Sequence, residues 1–311
     1  MLNTKQPIEQ IQQTSQQQWE ADAHFKDYMS AVNPAMPKID VVSYPASIHQ
    51  SGVSKITPFD LSKELGVRGL ATTPNLLANF VRICATETLK TSANATSQVF
   101  YVINGSGKTQ MSEGSIEWKA GDLFTLPAVG DALHTATDDA AFYWVTDAPL
   151  MTFLGVKPSK NKFKPVLYTK KRLTEELEAV KLSNPTSNRM GVLLNNPNFS
   201  KTLTITHTLW ALYNALPAGA QQKAHRHNSV ALDFCVSAGK DTYTLISKDI
   251  DKDGNLIDPI KAIWTPGSAF VTPPGWWHSH HNDSDEDAIV LPIQDAGLIM
   301  NMQVLDFQYI K

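Results

Sequence analysis

Cysteine is nearly absent from this 311-residue chain: Cys84 and Cys235 are the only two, far apart and outside any CxxC spacing. That argues against a disulfide framework and a cysteine-based zinc ribbon, and points to a reducing compartment. Charge of one sign is lacking too. With 27 basic and 30 acidic residues the formal net charge is −3, and no block of like charges marks a nucleic-acid arm or a polybasic membrane tail. A small neutral or anionic molecule is the expected partner, with no nucleic acid and no membrane. No apolar run approaches the ~20 residues of a membrane span, and the first residues, "MLNTKQPIEQIQQTSQQQWEADAHF", lack the apolar centre of a signal peptide. The expected location is the cytoplasm.

What is present is enough hydrophobic sequence, 42%, to bury one large core or two ordinary ones. Residues 8 to 29 are rich in Gln, Glu and Ala and suggest a polar helix or arm, stopped by Pro34, Pro37 and Pro45. "DLSKELG" suggests a short helix capped by Asp60 and ended by Gly66. From about residue 70 to 156 short strands alternate with turn residues, and Asn104-Gly105 in "VFYVINGSG" carries a strong hairpin signal. "YTKKRLTEELEAVKLSNP" then predicts a helix, with Thr174 as a plausible cap and Asn184-Pro185 as its stop. Strands resume at "TLTITHTL" (202–209), where Thr alternates with Leu203, Ile205, His207 and Leu209, and continue in "VALDFCV", "TYTLIS", "AFVTP" and "AIVLPI". Asp253-Gly254-Asn255 supplies a turn among them. The predicted fold is all-β: a helical arm over 1–66, a β-rich half over 67–156, a helical linker over 157–195 and a second β-rich half over 196–311.

The nine histidines are unevenly spread. Three fall in "PPGWWHSHHND", as His278, His280 and His281, and two more form His225-Arg226-His227. On an extended strand residues i and i+2 share a face, so His225 and His227 can converge while Arg226 turns away. A third histidine from a neighbouring strand completes a facial set that leaves open positions on a divalent ion, as a catalytic rather than a structural site does. Histidines can also be plain surface residues, and Trp276 and Trp277 can be plain core. His280 shares the parity of His278 and is a candidate for proton transfer, whereas His281 reads as a loop residue beside "NDSDED". His207 reads as a core histidine, and His24 and His49 carry no signal.

The spacing is more specific than the count. Gly219, five residues, His225-x-His227 and a later Gly239 are followed by Gly267, five residues, Pro273-x-Gly275, two residues, His278, three residues and Asn282. These motifs resemble the two consensus motifs of the cupin superfamily, which implies two cupin barrels (double-stranded β-helix, or jelly roll). Cupins usually carry a glutamate after three or four further residues; those positions are Ala231 and Leu232 here. Three neutral imidazoles leave a bound M²⁺ its full charge, so an anionic chelating ligand is favoured. Asp233 stands close by and is a candidate catalytic group.

"HRHNSVALDF" and "FVTPPGWWHSHHNDSDE" resemble more closely the metal-bearing cupin of gentisate 1,2-dioxygenases and their salicylate and hydroxynaphthoate relatives, over roughly residues 203 to 300. The resemblance implies a bicupin that often self-associates, Fe(II) held by His225, His227 and His278, His280 as an active-site histidine, and O₂ with a small anionic aromatic of the hydroxybenzoate type, or an enediol or diketone, as substrates. Three departures stand out. Asp233 replaces an arginine, the metal lies in the C-terminal instead of the N-terminal cupin, and "GSAFVTPPGWWH" follows the general superfamily form. In the first half Gln98 lies where the glutamate would fall, no HxH pair stands in "TLKTSANATS", and Gly121-x5-Pro127 leads only to His134. A degenerate, metal-free barrel is expected there, with His134 making a core hydrogen bond.

Two other chemistries stay open on these residues. Zn²⁺, Mn²⁺ or Ni²⁺ as Lewis acid would give an isomerase, lyase or hydrolase with Asp233 as base, and a non-catalytic ligand-binding bicupin would look the same in sequence. Trp210, Trp264 and Trp277 are candidate pocket walls.

Overall fold

The computed structural model describes residues 15–32 and 36–310. Residues 1–37 form one unit, of which the described part holds helix α1 (Ser15–Ala21) and a 3-10 turn over Tyr28–Val32; the earlier part of the expected arm lies outside the described residues. The remaining chain forms a second unit. It opens with strand β1 (Ser43–Tyr44), helix α2 (Ser47–Gln50), strand β2 (Lys55–Pro58) and helix α3 (Ser62–Leu65). Asp60 Oδ1 accepts from Ser62 N at 3.0 Å, and Gly66, with φ of +63°, ends α3 in the left-handed conformation that glycine adopts without cost.

The N-terminal half contains β3 (Leu77–Ile83), β4 (Thr88–Ser92), β5 (Gln98–Asn104), β6 (Ser106–Met111), β7 (Gly114–Lys119), β8 (Leu123–Leu126), β9 (Asp131–Ala136) and β10 (Ala140–Thr146). Helix α4 (Ala148–Leu154), β11 (Val166–Tyr168), helix α5 (Lys170–Ser183) and β12 (Met190–Leu193) lead to the C-terminal half. That half holds β13 (Trp210–Leu216), β14 (His225–His227), β15 (Ala231–Ser237), β16 (Thr242–Ser247), β17 (Ile260–Ile263), β18 (Ala269–Thr272), β19 (Trp277–Asn282) and β20 (Ala288–Gln294). Helix α6 (Ala296–Asn301) and β21 (Phe307–Tyr309) close it.

Each half is a pair of antiparallel sheets. The first has the orders β11-β8-β5-β10-β3-β2 and β4-β9-β6-β7; the second has β1-β18-β15-β20-β13-β12 and β17-β16-β19-β14-β21. The all-β, two-jelly-roll architecture expected from the sequence is therefore present. The six-stranded sheets pack back to back, with Phe234 of the second half at 4.9, 5.3 and 6.3 Å from the rings of Tyr143, Tyr101 and Phe80 of the first. Leu173 and Leu177 of α5 bury their shared face in the same core.

Strand pairing reaches beyond the expected segment boundaries. β1 lies within the expected helical arm, yet it pairs with β18 of the far half; β2 pairs with β3, β11 with β8 and β12 with β13. Arm and linker thus extend both large sheets. Residues 202–209 are not a strand: Leu203 takes φ of +53°, and Thr204, Thr206 and Thr208 are buried with hydroxyl bonds of their own, such as Thr208 Oγ1 to Asp147 Oδ2 at 2.9 Å. Asn104-Gly105 is not a two-residue hairpin either. The chain crosses there from one sheet to the other, and a Cβ on Gly105 would sit 2.6 Å from that of Ala140. Helix α5 is capped by Thr169, whose hydroxyl accepts from Arg172 N at 3.3 Å, and not by Thr174.

Candidate metal centre

β14 and β19 are neighbours with His225 opposite His278, so the three expected ligands arise from one antiparallel pair. Gly275, at φ of +76°, turns the chain into β19, and its N–H donates to His227 O at 2.7 Å, tying the turn to the ligand strand. One ring nitrogen from each of His225, His227 and His278 lies within 4.8 Å of the others, the only such group of metal-binding side chains among the described residues. All three are buried. Arg226 faces away as parity requires, donating to Gln308 Oε1 at 3.2 Å.

The protons are arranged for a cation. His227 Nδ1 donates to Ser229 O at 2.8 Å and His278 Nδ1 to Trp276 O at 3.1 Å, which leaves each Nε2 with its lone pair. Burial pushes the His227 pKa down to about 4, and burial with mutual repulsion holds those of His225 and His278 well below the ordinary value. The rings are neutral near pH 7, as metal binding requires. His225 differs from its partners, because Arg189 Nη1 lies 3.3 Å from its Nδ1 and a guanidinium can only donate. For His225 to bind a cation through Nε2, Nδ1 must take up the proton and this contact must give way.

The triad opens on a cavity of about 340 Å³ between the two sheets. Its wall includes His280, Asp233, Trp210, Arg189, Gln222, Phe307 and Tyr309. Arg189 and Asp233 are its only charged side chains. Asp233 is fully buried and accepts from Thr272 Oγ1 at 2.6 Å; burial pushes its pKa up to about 7. His280 is also buried, which holds its pKa down to about 3. Its Nδ1 lies 2.8 Å from Thr244 Oγ1, which accepts from Trp264 Nε1 at 2.8 Å. The hydroxyl keeps one hydrogen and a second lone pair, so it can serve either tautomer of His280; as donor to Nδ1 it leaves the ring proton on Nε2.

The other expected site residues are placed differently. Trp264 is buried core whose ring nitrogen serves Thr244, and Trp277 turns outward under Arg226, 5.2 Å from its ring; neither lines the cavity. Strand parity explains Trp277, since its neighbour His278 points in. His281 also points outward and stacks on Tyr243 at 5.0 Å, and His207 packs on Phe199 at 5.7 Å with no partner for Nδ1. The sequence reading missed Arg189, which lies within the linker, and the alternating Phe307 and Tyr309, whose rings stack beside His225 at 5.6 and 5.7 Å. Period two in "FQY" was the one available signal for the latter pair. A wider depression of about 570 Å³ on the N-terminal half, lined by Ser106, Lys108, Glu117 and Thr169, gathers no such ligand set.

No protein-family model matches the chain. Gentisate 1,2-dioxygenase 1 of Aquipseudomonas alcaligenes is 29% identical over 111 residues, covering 36% of this chain and 28% of that protein. 5-Aminosalicylate 1,2-dioxygenase of a Comamonas species is 25% identical over 114 residues, with the same coverage of 36% and 28%. The chain thus matches little more than a quarter of the length of these relatives. Among solved structures, salicylate 1,2-dioxygenase from Pseudaminobacter salicylatoxidans superposes with a TM-score of 0.72 at 13% identity, over 99% of each chain. A deletion mutant of oxalate decarboxylase from Bacillus subtilis superposes with a TM-score of 0.55 at 16% identity, over 81% of this chain and 76% of that one. The fold is that of a bicupin.

Proposed function

Starting from this bicupin fold, we propose that the chain is a non-haem, Fe(II)-dependent dioxygenase that opens a small anionic aromatic ring of the hydroxybenzoate type. One observation carries the reading: three buried, neutral imidazoles with no carboxylate among them converge at the wall of a 340 Å³ cavity that holds a single cationic side chain. His225, His227 and His278 would hold the metal. When bound, it supplies a template for a chelating substrate and O₂ and a path for electrons between them.

The protein's part is binding, orientation and exclusion of water. Arg189 offers a fixed cation to the substrate carboxylate. Trp210, Phe307 and Tyr309 wall the ring. His280, neutral and protonated at Nε2, holds that hydrogen toward the cavity as a donor to an oxygen that gains negative charge, a role for which a preset, buried hydrogen bond is well suited. We read the expected part of His280 in proton transfer as that of a hydrogen donor from Nε2 to the substrate oxygen, with Thr244 paired at Nδ1.

A second reading has a specific support. Asp233, with its raised pKa, could serve as a base in a metal-dependent lyase or isomerase using Zn, Mn or Ni, and the fold is shared with a decarboxylase. Oxygen uptake by the anaerobically purified, Fe(II)-loaded protein with gentisate, salicylate, 5-aminosalicylate and 1-hydroxy-2-naphthoate separates the two. The dioxygenase consumes one O₂ per ring opened; turnover in strict anaerobiosis would refute it.

A further inference from the structure

The cavity has opposite charge at its two sides. On the large sheet, Asp233 lies on β15 and Arg189 immediately precedes β12, with β20 and β13 between them. Three strand spacings separate them, about 14 Å of backbone. The Arg189 guanidinium is engaged near His225, Gln222 Oε1 at 3.4 Å and Lys223 O at 2.6 Å. At the other side Asp233 is the only acid on the cavity wall, and Thr272 is its only hydrogen-bond partner among the described residues, at Oδ2. No cationic group pairs with it there. Its Oδ1 is not among the buried atoms left without a partner, so it opens on the cavity, where the donor of a ligand can reach it. It also repels a substrate carboxylate, which leaves the Arg189 side for that group.

We propose that Asp233 determines which ring substituent is accepted: its unpartnered oxygen Oδ1 receives an amino or hydroxyl hydrogen from an aromatic acid whose carboxylate lies toward Arg189. This rests on the aromatic-acid reading above and adds a preference to it. Aromatic acids carrying such a donor bind more tightly than the same acid without one. The gain comes from a charge-assisted hydrogen bond made inside a closed site, the kind of contact that discriminates strongly between near-isosteres.

The test is equilibrium binding to the Zn(II)-loaded protein, which is redox-inert, by titration calorimetry with salicylate, gentisate and 5-aminosalicylate. The last two add a ring hydroxyl or amino group to the first. The expected result is at least ~10-fold tighter binding of both than of salicylate. In Asp233→Leu the ratio falls to within about twofold, and Asp233→Asn, whose amide oxygen still accepts, keeps part of it and covers the case in which the leucine variant fails to fold. Equal affinities in the parent protein, or a ratio that stays undiminished in Asp233→Leu or in Asp233→Asn, would overturn the role of Asp233 alone. Failure of all three acids to bind would overturn the aromatic-acid reading and this inference with it.

Discussion

The two halves align residue for residue at the point where they differ most. Thr91 faces Ala132 across β4 and β9 as His225 faces His278 across β14 and β19, so Thr91, Ala93 and Ala132 stand where the C-terminal half has its three clustered histidines. The counterpart of His280 is His134, and here the halves agree. His134 Nδ1 lies 2.7 Å from Thr109 Oγ1, which accepts from Trp118 Nε1 at 2.9 Å, matching His280, Thr244 and Trp264. Phe100 occupies the place of Asp233 and Trp144 that of Pro292, and the rings of Phe124, Phe100 and Trp144 stack at 4.8 and 5.4 Å where the other half has its cavity. The histidine–threonine–tryptophan relay therefore belongs to the scaffold. The three-histidine cluster and the cavity beside it are separate features of the C-terminal half.

The largest effect should come from exchanging ligand positions. His278→Ala is expected to lower metal affinity by roughly 10³-fold, read by competition with a chelator. The reverse graft, Thr91→His with Ala93→His and Ala132→His, is expected to bind no second ion, because Phe100 and Trp144 fill the space, and to cost about 1–3 kcal/mol through overpacking. Next, His134→Ala should destabilise the fold by about 3 kcal/mol in urea and leave metal content unchanged, whereas His280→Ala should cut turnover about 10²-fold.

Thr109→Val and Thr244→Val sharpen the comparison further. Each leaves a buried tryptophan N–H unpaired, at about 1–3 kcal/mol; only Thr244→Val should also slow turnover, about tenfold, because His280 then loses its partner at Nδ1. The smallest effect is a pH dependence at Asp233. Its folded pKa of about 7 exceeds the ordinary 3.8, so the stabilisation from burying the neutral acid is fully present below that ordinary value and is lost as pH rises through 7. The Tm of Asp233→Asn relative to the parent should rise by ~5 °C between pH 5 and pH 9.

These contrasts bear on what the sequence could reveal. The triad was legible because it rests on local parity and on a turn of fixed length. The counterpart positions in the first half were read differently: Gly121-x5-Pro127 was followed to His134, whereas four residues lie between Pro127 and Ala132 as between Pro273 and His278, which pairs His134 with His280. Less legible were features settled by distant chain. Threonine alternation at 202–209 imitates a pleat but arises from hydroxyl bonds to residues such as Asp147. Arg189 reaches the site from 36 positions before His225, and β21 arrives from near the end of the chain. No window of sequence contains either contact. Likewise β1 joins the far half through pairing with β18, which no local propensity encodes. Among the described residues no helix is long and apolar enough to cross a membrane.

The most direct measurement is anomalous diffraction at the iron edge from crystals of the Fe(II)-loaded protein grown without oxygen. One peak per chain is expected, bonded to His225, His227 and His278, with no density beside His134. A peak in the N-terminal half, or iron held elsewhere while the three rings stay empty, would contradict the account.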